Sequence, residues 1–255
     1  MSFQSIIVKE TEKSLTIQFN RLDNQNSISS QLLTEMDQAL DQAEKNHSCR
    51  LVILEGQQGI FCTGMDFKEM SGSLNNPDHL QQFSAKYMLL LKRLAHIPKV
   101  VISKIDGKVI AGGVGFAAAS DLIIATEKSQ FSLSEALWGL LPANVIPYLI
   151  RRVGFQKAYM MTLTTRIVTG QEALQIGLVD ELSANLEDSV RKLSLRLNIL
   201  EESTLKNLKA YFRKMWIIDE EIEKHASDEL THLLKEPTVQ ANIKNYAEHG
   251  KTPWG

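Results

Sequence analysis

A chain of 255 residues with 44% hydrophobic and 23% charged residues is long enough to bury a full core, and too apolar to be a disordered segment or a fibrous rod. Its 28 Lys and Arg against 30 Asp and Glu leave a net charge of −2, which offers no overall attraction for nucleic acid or an anionic membrane. The opening MSFQSIIVKETEK lacks the basic-then-apolar pattern of a secretion signal, no apolar run reaches the ~18 residues that span a bilayer, and Cys49 and Cys62 form no CxxC, so a cytoplasmic protein without a four-cysteine zinc site is expected.

In chain order, residues 5–8 and 15–19 alternate apolar and polar around ETEKS, which predicts a hairpin. A polar turn, NRLDNQNS, leads to a helix over roughly 29–46, with Leu32, Leu33, Met36 and Leu40 at helical spacing. LVILEG at 51–56 reads as a buried strand that delivers the chain into the loop QQGIFCTGMDF. The grammar then repeats: a helix at about 79–96, the strand KVVISKI, the corner DGKVIAGG, a small-residue helix GVGFAAAS and the strand DLIIAT. Strands alternating with helices predict an α/β fold. After Gly139 the pattern is mostly helical, with a long stretch from 187 to about 246 broken at Glu236-Pro237 and a region boundary near 190–200.

Two glycine corners, GIFCTGMDFKEM (59–70) and GKVIAGGVGF (107–116), each follow a buried strand and open a helix. Such corners present the unpaired N–H groups of a first helical turn, where partial positive charge collects. The ordinary alternative is that Gly112, Gly113 and Gly115 only permit close helix packing; AGGVGF is no dinucleotide fingerprint. A pair of corners in one chain fits an oxyanion hole, because a developing enolate oxygen needs two converging donors.

FCTGMDFKEM, KVIAGGVGFAAASDLIIA, FSLSEALWGLLP and TGQEALQIGLVDEL, in that order, resemble the enoyl-CoA hydratase/isomerase (crotonase) superfamily from about residue 5 to 185. The resemblance implies a crotonase-like spiral of ββα units over 1–195 and a helical C-terminal trimerisation region over 196–255, assembling as a homotrimer or hexamer. It also implies an acyl thioester whose carbonyl sits between the backbone N–H groups of Met65 and Gly112. The family's hydratases hold a water between two Glu residues; here the first position is Gly115 and the second is Glu135. Most Glu side chains are solvated, but Glu135 stands among Phe131, Leu133, Ala136, Leu137 and Trp138, where burial would raise its pKa into the acid/base range. A lone carboxyl can take an α-proton and return it on the same face, to a γ-carbon in isomerisation or to a β-hydroxyl in syn elimination of water. Hydration of an unactivated enoyl thioester is harder with Glu135 alone.

FSLSEALWGLLPANVIPYLIRRVGFQKAYMMTLTT and the ending IKNYAEHGKTPWG further resemble the dehydratases of polyketide β-branching cassettes. Those, the resemblance implies, remove water from 3-hydroxy-3-methylglutaryl-acyl carrier protein to give 3-methylglutaconyl-acyl carrier protein. The partners so implied are an acyl carrier protein and a small-molecule acyl thioester, with no nucleic acid and no membrane; no cofactor is implied beyond the phosphopantetheine or CoA that carries the substrate. The cassettes' decarboxylase lacks the Glu and uses a Tyr and a Lys one helical turn apart; here Leu91 lies four residues after Tyr87, and Lys86 is its neighbour. Rival readings are an enoyl-CoA isomerase or hydratase and a non-catalytic scaffold for carrier proteins.

Three further residues are candidates for substrate binding. Tyr87 lies on the helix expected over the acyl pocket, either to meet the distal carboxylate of a glutaryl chain or as core with a wet tip. Lys68 either meets a phosphate of the carrier arm or is simply solvated. Asn144, where the family has Gly, either orients a polar substituent or caps the next helix. Arg151 and Arg152 fit a helix C-terminus at least as well as an acidic ligand, and no histidine has metal-site spacing, His225 and His232 lying two turns apart. Cys62 reads as a packing residue, and Tyr211, Phe212, Met215 and Trp216 as an assembly surface.

Overall fold

Alternating residues 6–10 and 14–19 make the antiparallel hairpin of β1 (Ile6–Glu10) and β2 (Ser14–Phe19), with Val8 opposite Ile17. Leu15, Ile17 and Phe19 on its inner face are fully buried. Helix α1 (Ser30–Lys45) crosses over to β3 (Leu51–Glu55), which pairs parallel to β2; the Ser29 hydroxyl caps α1 by accepting from the Leu32 amide at 3.1 Å. The computed structural model describes residues 3–216 and 218–254; Met1, Ser2, Ile217 and Gly255, which include the outer ends of the expected 1–195 and 196–255 regions, lie outside the described residues.

Three passes then build the body. The first runs β3, β4 (Ile60–Cys62), α2 (Phe67–Ser71) and α3 (Pro77–His96). The second runs β5 (Val100–Ile105), β6 (Lys108–Ile110) and α4 (Gly112–Ala119). The third runs β7 (Leu122–Ala125), β8 (Gln130–Ser132), a 3-10 turn at Glu135–Trp138, α5 (Ile146–Val153) and α6 (Phe155–Thr164). Each pass gives its first strand to one sheet and its second to another. With β9 (Val168–Thr169), α7 (Gly170–Gln175) and β10 (Glu181–Leu182), the sheets are ordered β1-β2-β3-β5-β7-β10 and β4-β6-β8-β9. This is the expected α/β class, wound as ββα units.

The apolar run at 51–54 is continuous because both faces of β3 are covered. Val52 and Leu54 enter the main core, whereas Leu51 and Ile53 pack in a second cluster with Val190 of α8 (Leu186–Leu197) and Leu205 of α9 (Glu202–Arg213). At three residues each, β4 and β6 were not separable in the sequence from the glycine corners that hold them, nor β8 from the loop before Glu135.

The stretch expected as helical from 187 with one break has three. Besides the break before α11 (Pro237–His249), the chain turns between α8 and α9 and again before α10 (Glu220–Leu233), where the Asp219 carboxylate caps the Ile222 amide at 2.8 Å. Buried cations tie these helices to the sheet: Lys99 Nζ donates to Glu202 at 2.8 Å, and Lys209 Nζ donates to Asp121 at 2.7 Å and to the Lys99 carbonyl at 3.0 Å. Helix α10 packs on α3, and α11 packs on α2. No helix among the described residues is long and apolar enough to cross a membrane.

Candidate active site

The two glycine corners meet. A Cβ on Gly113 would lie 2.3 Å from the Cys62 carbonyl oxygen, and one on Gly64 would lie 2.7 Å from Ala111 Cβ and 3.2 Å from the Gly112 nitrogen. Glycine at 113 therefore lets α4 seat on the end of β4. Gly64 itself has φ +86°, a region where other residues are strained. Ala111 is such a residue, with φ 52° and ψ −123°, and it turns the chain so that α4 begins with the Gly112 amide exposed.

Four neighbouring amides are used. Ile28 N–H donates to the Gly64 carbonyl at 2.7 Å, Asp66 N–H to Ile28 at 2.9 Å, Ala111 N–H to Ser132 at 2.9 Å and Val114 N–H to Ala111 at 2.9 Å. The amides of Met65 and Gly112 have no acceptor among the described residues. Both residues line one cavity of about 460 Å³, with Glu135, Tyr87, Asn144 and Lys68. All six sequence candidates are thus gathered in one place.

Glu135 opens the 3-10 turn after β8, a turn closed by Gly139 at φ +80°. Part of the residue is exposed along the cavity wall, but Oε2 is buried and has no hydrogen-bond partner among the described residues. Burial pushes its carboxyl up to about 8, opposed only by its own backbone amide. Two other carboxylates line the cavity. Asp23 is exposed. Asp66 caps α2 by accepting from the Lys68 and Glu69 amides at 3.0 and 3.2 Å and pairs with Arg21 at 2.7 Å. Burial would raise Asp66, but the Arg21 hydrogen bond, the Glu69 amide and the Arg21 charge outweigh it and hold the carboxyl below its ordinary value. Glu135 is thus the carboxyl group here that is both buried and unpaired.

The Arg21 and Asp66 pair braces the corner next to Met65, because Arg21 also donates to Ser27. Arg21→Met should cost about 3 kcal/mol by leaving Asp66 buried without its cation. Since Asp66 is held below its unfolded value, its contribution exists above that value and is lost as pH falls through the folded one. The deficit of the variant, measured by denaturant melts, should therefore shrink below about pH 4.

Tyr87 does not project a free hydroxyl into the cavity. Its O–H donates to the Gly112 carbonyl at 2.5 Å, so its single hydrogen is not available to a distal carboxylate. A Cβ on Gly115 would fall 2.1 Å from the Tyr87 oxygen, which means that Tyr87 fills the space a side chain at 115 would need. Burial first, then the nearby Cys62 and Glu135, raise the phenol well above its ordinary value, so it is no base.

Asn144 does not cap a helix. Helix α5 begins at Ile146 with Val145 at its N-cap and no side-chain cap, and Asn144 Nδ2 instead donates to the Ser84 carbonyl at 3.0 Å and to Ser84 Oγ at 3.2 Å. Lys68 is exposed at the cavity, with no acidic partner among the described residues. Arg151 and Arg152 lie elsewhere and donate to backbone carbonyls of Ala118 and Leu178 at 2.6 and 2.8 Å. Burial pushes the Cys62 thiol up to about 12, which makes it a packing residue.

Sequence reasoning missed the aromatic wall. Trp138 packs edge-on against Phe67, Tyr246 and Trp254 at 4.7, 5.2 and 5.1 Å, bringing α2, the 3-10 turn, α11 and the C-terminal segment together around the cavity. Trp138 lies too far along the chain from Tyr246 and Trp254 for their contact to leave a trace in the sequence.

Residues 10–255 match the family model described as enoyl-CoA hydratase/isomerase. The chain is 36% identical over 257 residues to the bacillaene synthase dehydratase PksH of Bacillus subtilis, covering 100% of this chain and 98% of that one. A crystal structure assigned to polyketide biosynthesis as an enoyl-CoA hydratase (pksH), also from Bacillus subtilis, superposes with a TM-score of 0.89 at 34% identity, covering 99% of this chain and 100% of the other. The mitochondrial enoyl-CoA hydratase of Pongo abelii is 34% identical over 185 residues, 71% of this chain and 62% of that one.

Proposed function

Since the chain belongs to the enoyl-CoA hydratase/isomerase family, we propose that it is a dehydratase that removes water from a 3-hydroxyacyl thioester, 3-hydroxy-3-methylglutaryl-acyl carrier protein, in polyketide β-branching. The observation that carries this reading is the full-length likeness to a bacillaene synthase dehydratase, joined to a cavity with two free amides and one buried, unpaired carboxyl group.

The thioester carbonyl oxygen lies between the Met65 and Gly112 N–H groups, which stabilise it as negative charge develops. Glu135, as carboxylate, takes a proton from C2. The electron pair left on C2 forms the C2–C3 double bond as the C3–O bond breaks, and the departing oxygen receives the proton from Glu135. One water leaves and Glu135 is a carboxylate again. A second acid is not required, because proton and hydroxyl leave from one face; Tyr87 occupies the space above Gly115 where one would stand. Lys68 at the cavity meets a phosphate of the phosphopantetheine arm.

The family assembly, a trimer or a pair of trimers, belongs to the same reading, as does a cytoplasmic setting. Support for assembly is the exposed stripe of Phe155, Tyr159 and Leu163 along α6, with Tyr211, Phe212 and Met215 on the C-terminal region, since a free monomer rarely shows such stripes to water.

Intact-protein mass spectrometry of a loaded acyl carrier protein tests the reaction. Incubation with this protein should remove one water, and the reverse reaction should add one to 3-methylglutaconyl-carrier protein. An unchanged mass in both directions would sink the dehydratase reading; α-proton exchange alone would leave an isomerase, and no exchange a scaffold.

A further inference from the structure

We infer that Asn144 holds the leaving hydroxyl: its side-chain oxygen accepts the hydrogen of the substrate's β-hydroxyl and turns a lone pair of that oxygen towards Glu135. The inference rests on the dehydratase reading and specifies how its substrate is recognised.

The orientation of the Asn144 amide follows from its partners. The Ser84 carbonyl can only accept, so the nitrogen of the amide must face it, at 3.0 Å. Ser84 Oγ donates to the Ser227 carbonyl at 2.9 Å, and therefore accepts from Asn144 at 3.2 Å and from Ser227 Oγ at 3.1 Å. Thr231 Oγ1 donates to the same Ser227 carbonyl at 2.9 Å. Every side-chain hydroxyl hydrogen along this chain, from α10 through α3 to Asn144, is therefore committed. What remains is Asn144 Oδ1, which has no donor among the described residues although the residue is 1% exposed.

A buried acceptor without a donor is costly and persists where a ligand supplies the hydrogen. Asn144 and Glu135 line the same cavity, and each carries an unpartnered buried oxygen. Phe83, Leu140, Ala143 and Val145 contribute apolar groups to the same cavity. The reacting end of a 3-hydroxyacyl thioester has a single hydrogen-bond donor, its hydroxyl, because the carbonyl is an acceptor. That hydrogen goes to Oδ1. When C3–O breaks, the water formed has two hydrogens, one received from Glu135 and one still held by Oδ1, which matches two acceptors to two donors. An isomerase substrate has no hydroxyl, and for it this oxygen would remain unpaired.

Two reactions of the same protein separate this role from a structural one: water loss from 3-hydroxy-3-methylglutaryl-carrier protein, and α-proton exchange in deuterated water with a 3-methylglutaryl thioester, which lacks the hydroxyl. Asn144→Ala should slow water loss at least tenfold and leave exchange within about twofold. Equal losses in a variant that melts like wild type, or no loss in either reaction, would overturn the inference. Wild type that exchanges the α-proton yet releases no water would instead overturn the dehydratase reading beneath it. Should Asn144→Ala fail to fold, Ser84→Ala, which removes one of its two anchors, should slow water loss several-fold with exchange kept; an unchanged ratio of the two rates would overturn the inference.

Discussion

Glu135→Gln is expected to lower the rate of water loss by about 10³-fold or more, with the substrate still bound. The amide keeps the shape of the carboxyl group and loses its proton chemistry, and no other cavity carboxylate can stand in, since Asp66 is tied to Arg21 and Asp23 is exposed. Because burial pushes Glu135 up to about 8 and the dehydration needs the carboxylate, kcat/KM of the wild type should climb tenfold per pH unit and level off near pH 8. A flat profile from pH 6 to 9 would remove Glu135 as the base. Stability moves oppositely. Between 4.5, its ordinary value, and about 8 the folded chain holds a proton that the unfolded chain has lost, so stability falls as pH rises through that window. Glu135→Gln has no such loss and should exceed the wild type by a few kcal/mol above pH 8, the two converging near pH 4. A variant both inactive and more stable is the signature of a buried catalytic acid, which a surface Glu would not produce.

Gly113→Ala should be the more damaging change at the oxyanion corner, although it adds one methyl group. The new Cβ would sit 2.3 Å from the Cys62 carbonyl, a backbone atom at the end of β4 that has no rotamer to yield. Helix α4 must then withdraw from the first corner, and the Met65 and Gly112 amides cease to converge. Overpacking of this kind costs roughly 1–3 kcal/mol, and misplacing one oxyanion donor costs about 10²-fold or more in kcat. Urea melts and single-turnover water loss should therefore both deteriorate. Native stability with full activity would show that the corners need not touch.

Much of this was legible in the linear chain, for a local reason. Period-two alternation at 15–19 and helical spacing at 32–40 report which face of each element is buried, and both came out within a residue or two. The two glycine corners stood out because each follows an apolar strand, and Glu135 because its neighbours are apolar. The short strands β4, β6 and β8 did not, since three residues carry too little pattern to be told from a loop. The turns before α9 and α10 were hidden because the linking residues, NILE at 198–201 and KMWIID at 214–219, contain neither proline nor glycine.

The sequence by itself determined the α/β class, the order of the longer elements of the body, the two glycine corners, and the one carboxyl group placed among apolar residues. Only the tertiary structure decided which groups are free to react, because freedom depends on partners far along the chain. Asp66 is silenced by Arg21, 45 residues away; the Tyr87 hydroxyl is spent on the Gly112 carbonyl, 25 away; and the Asn144 amide is turned by Ser84, 60 away. Burial raises a pKa and a hydrogen bond removes a donor, and both act through space between residues whose separation in sequence carries no trace of their contact.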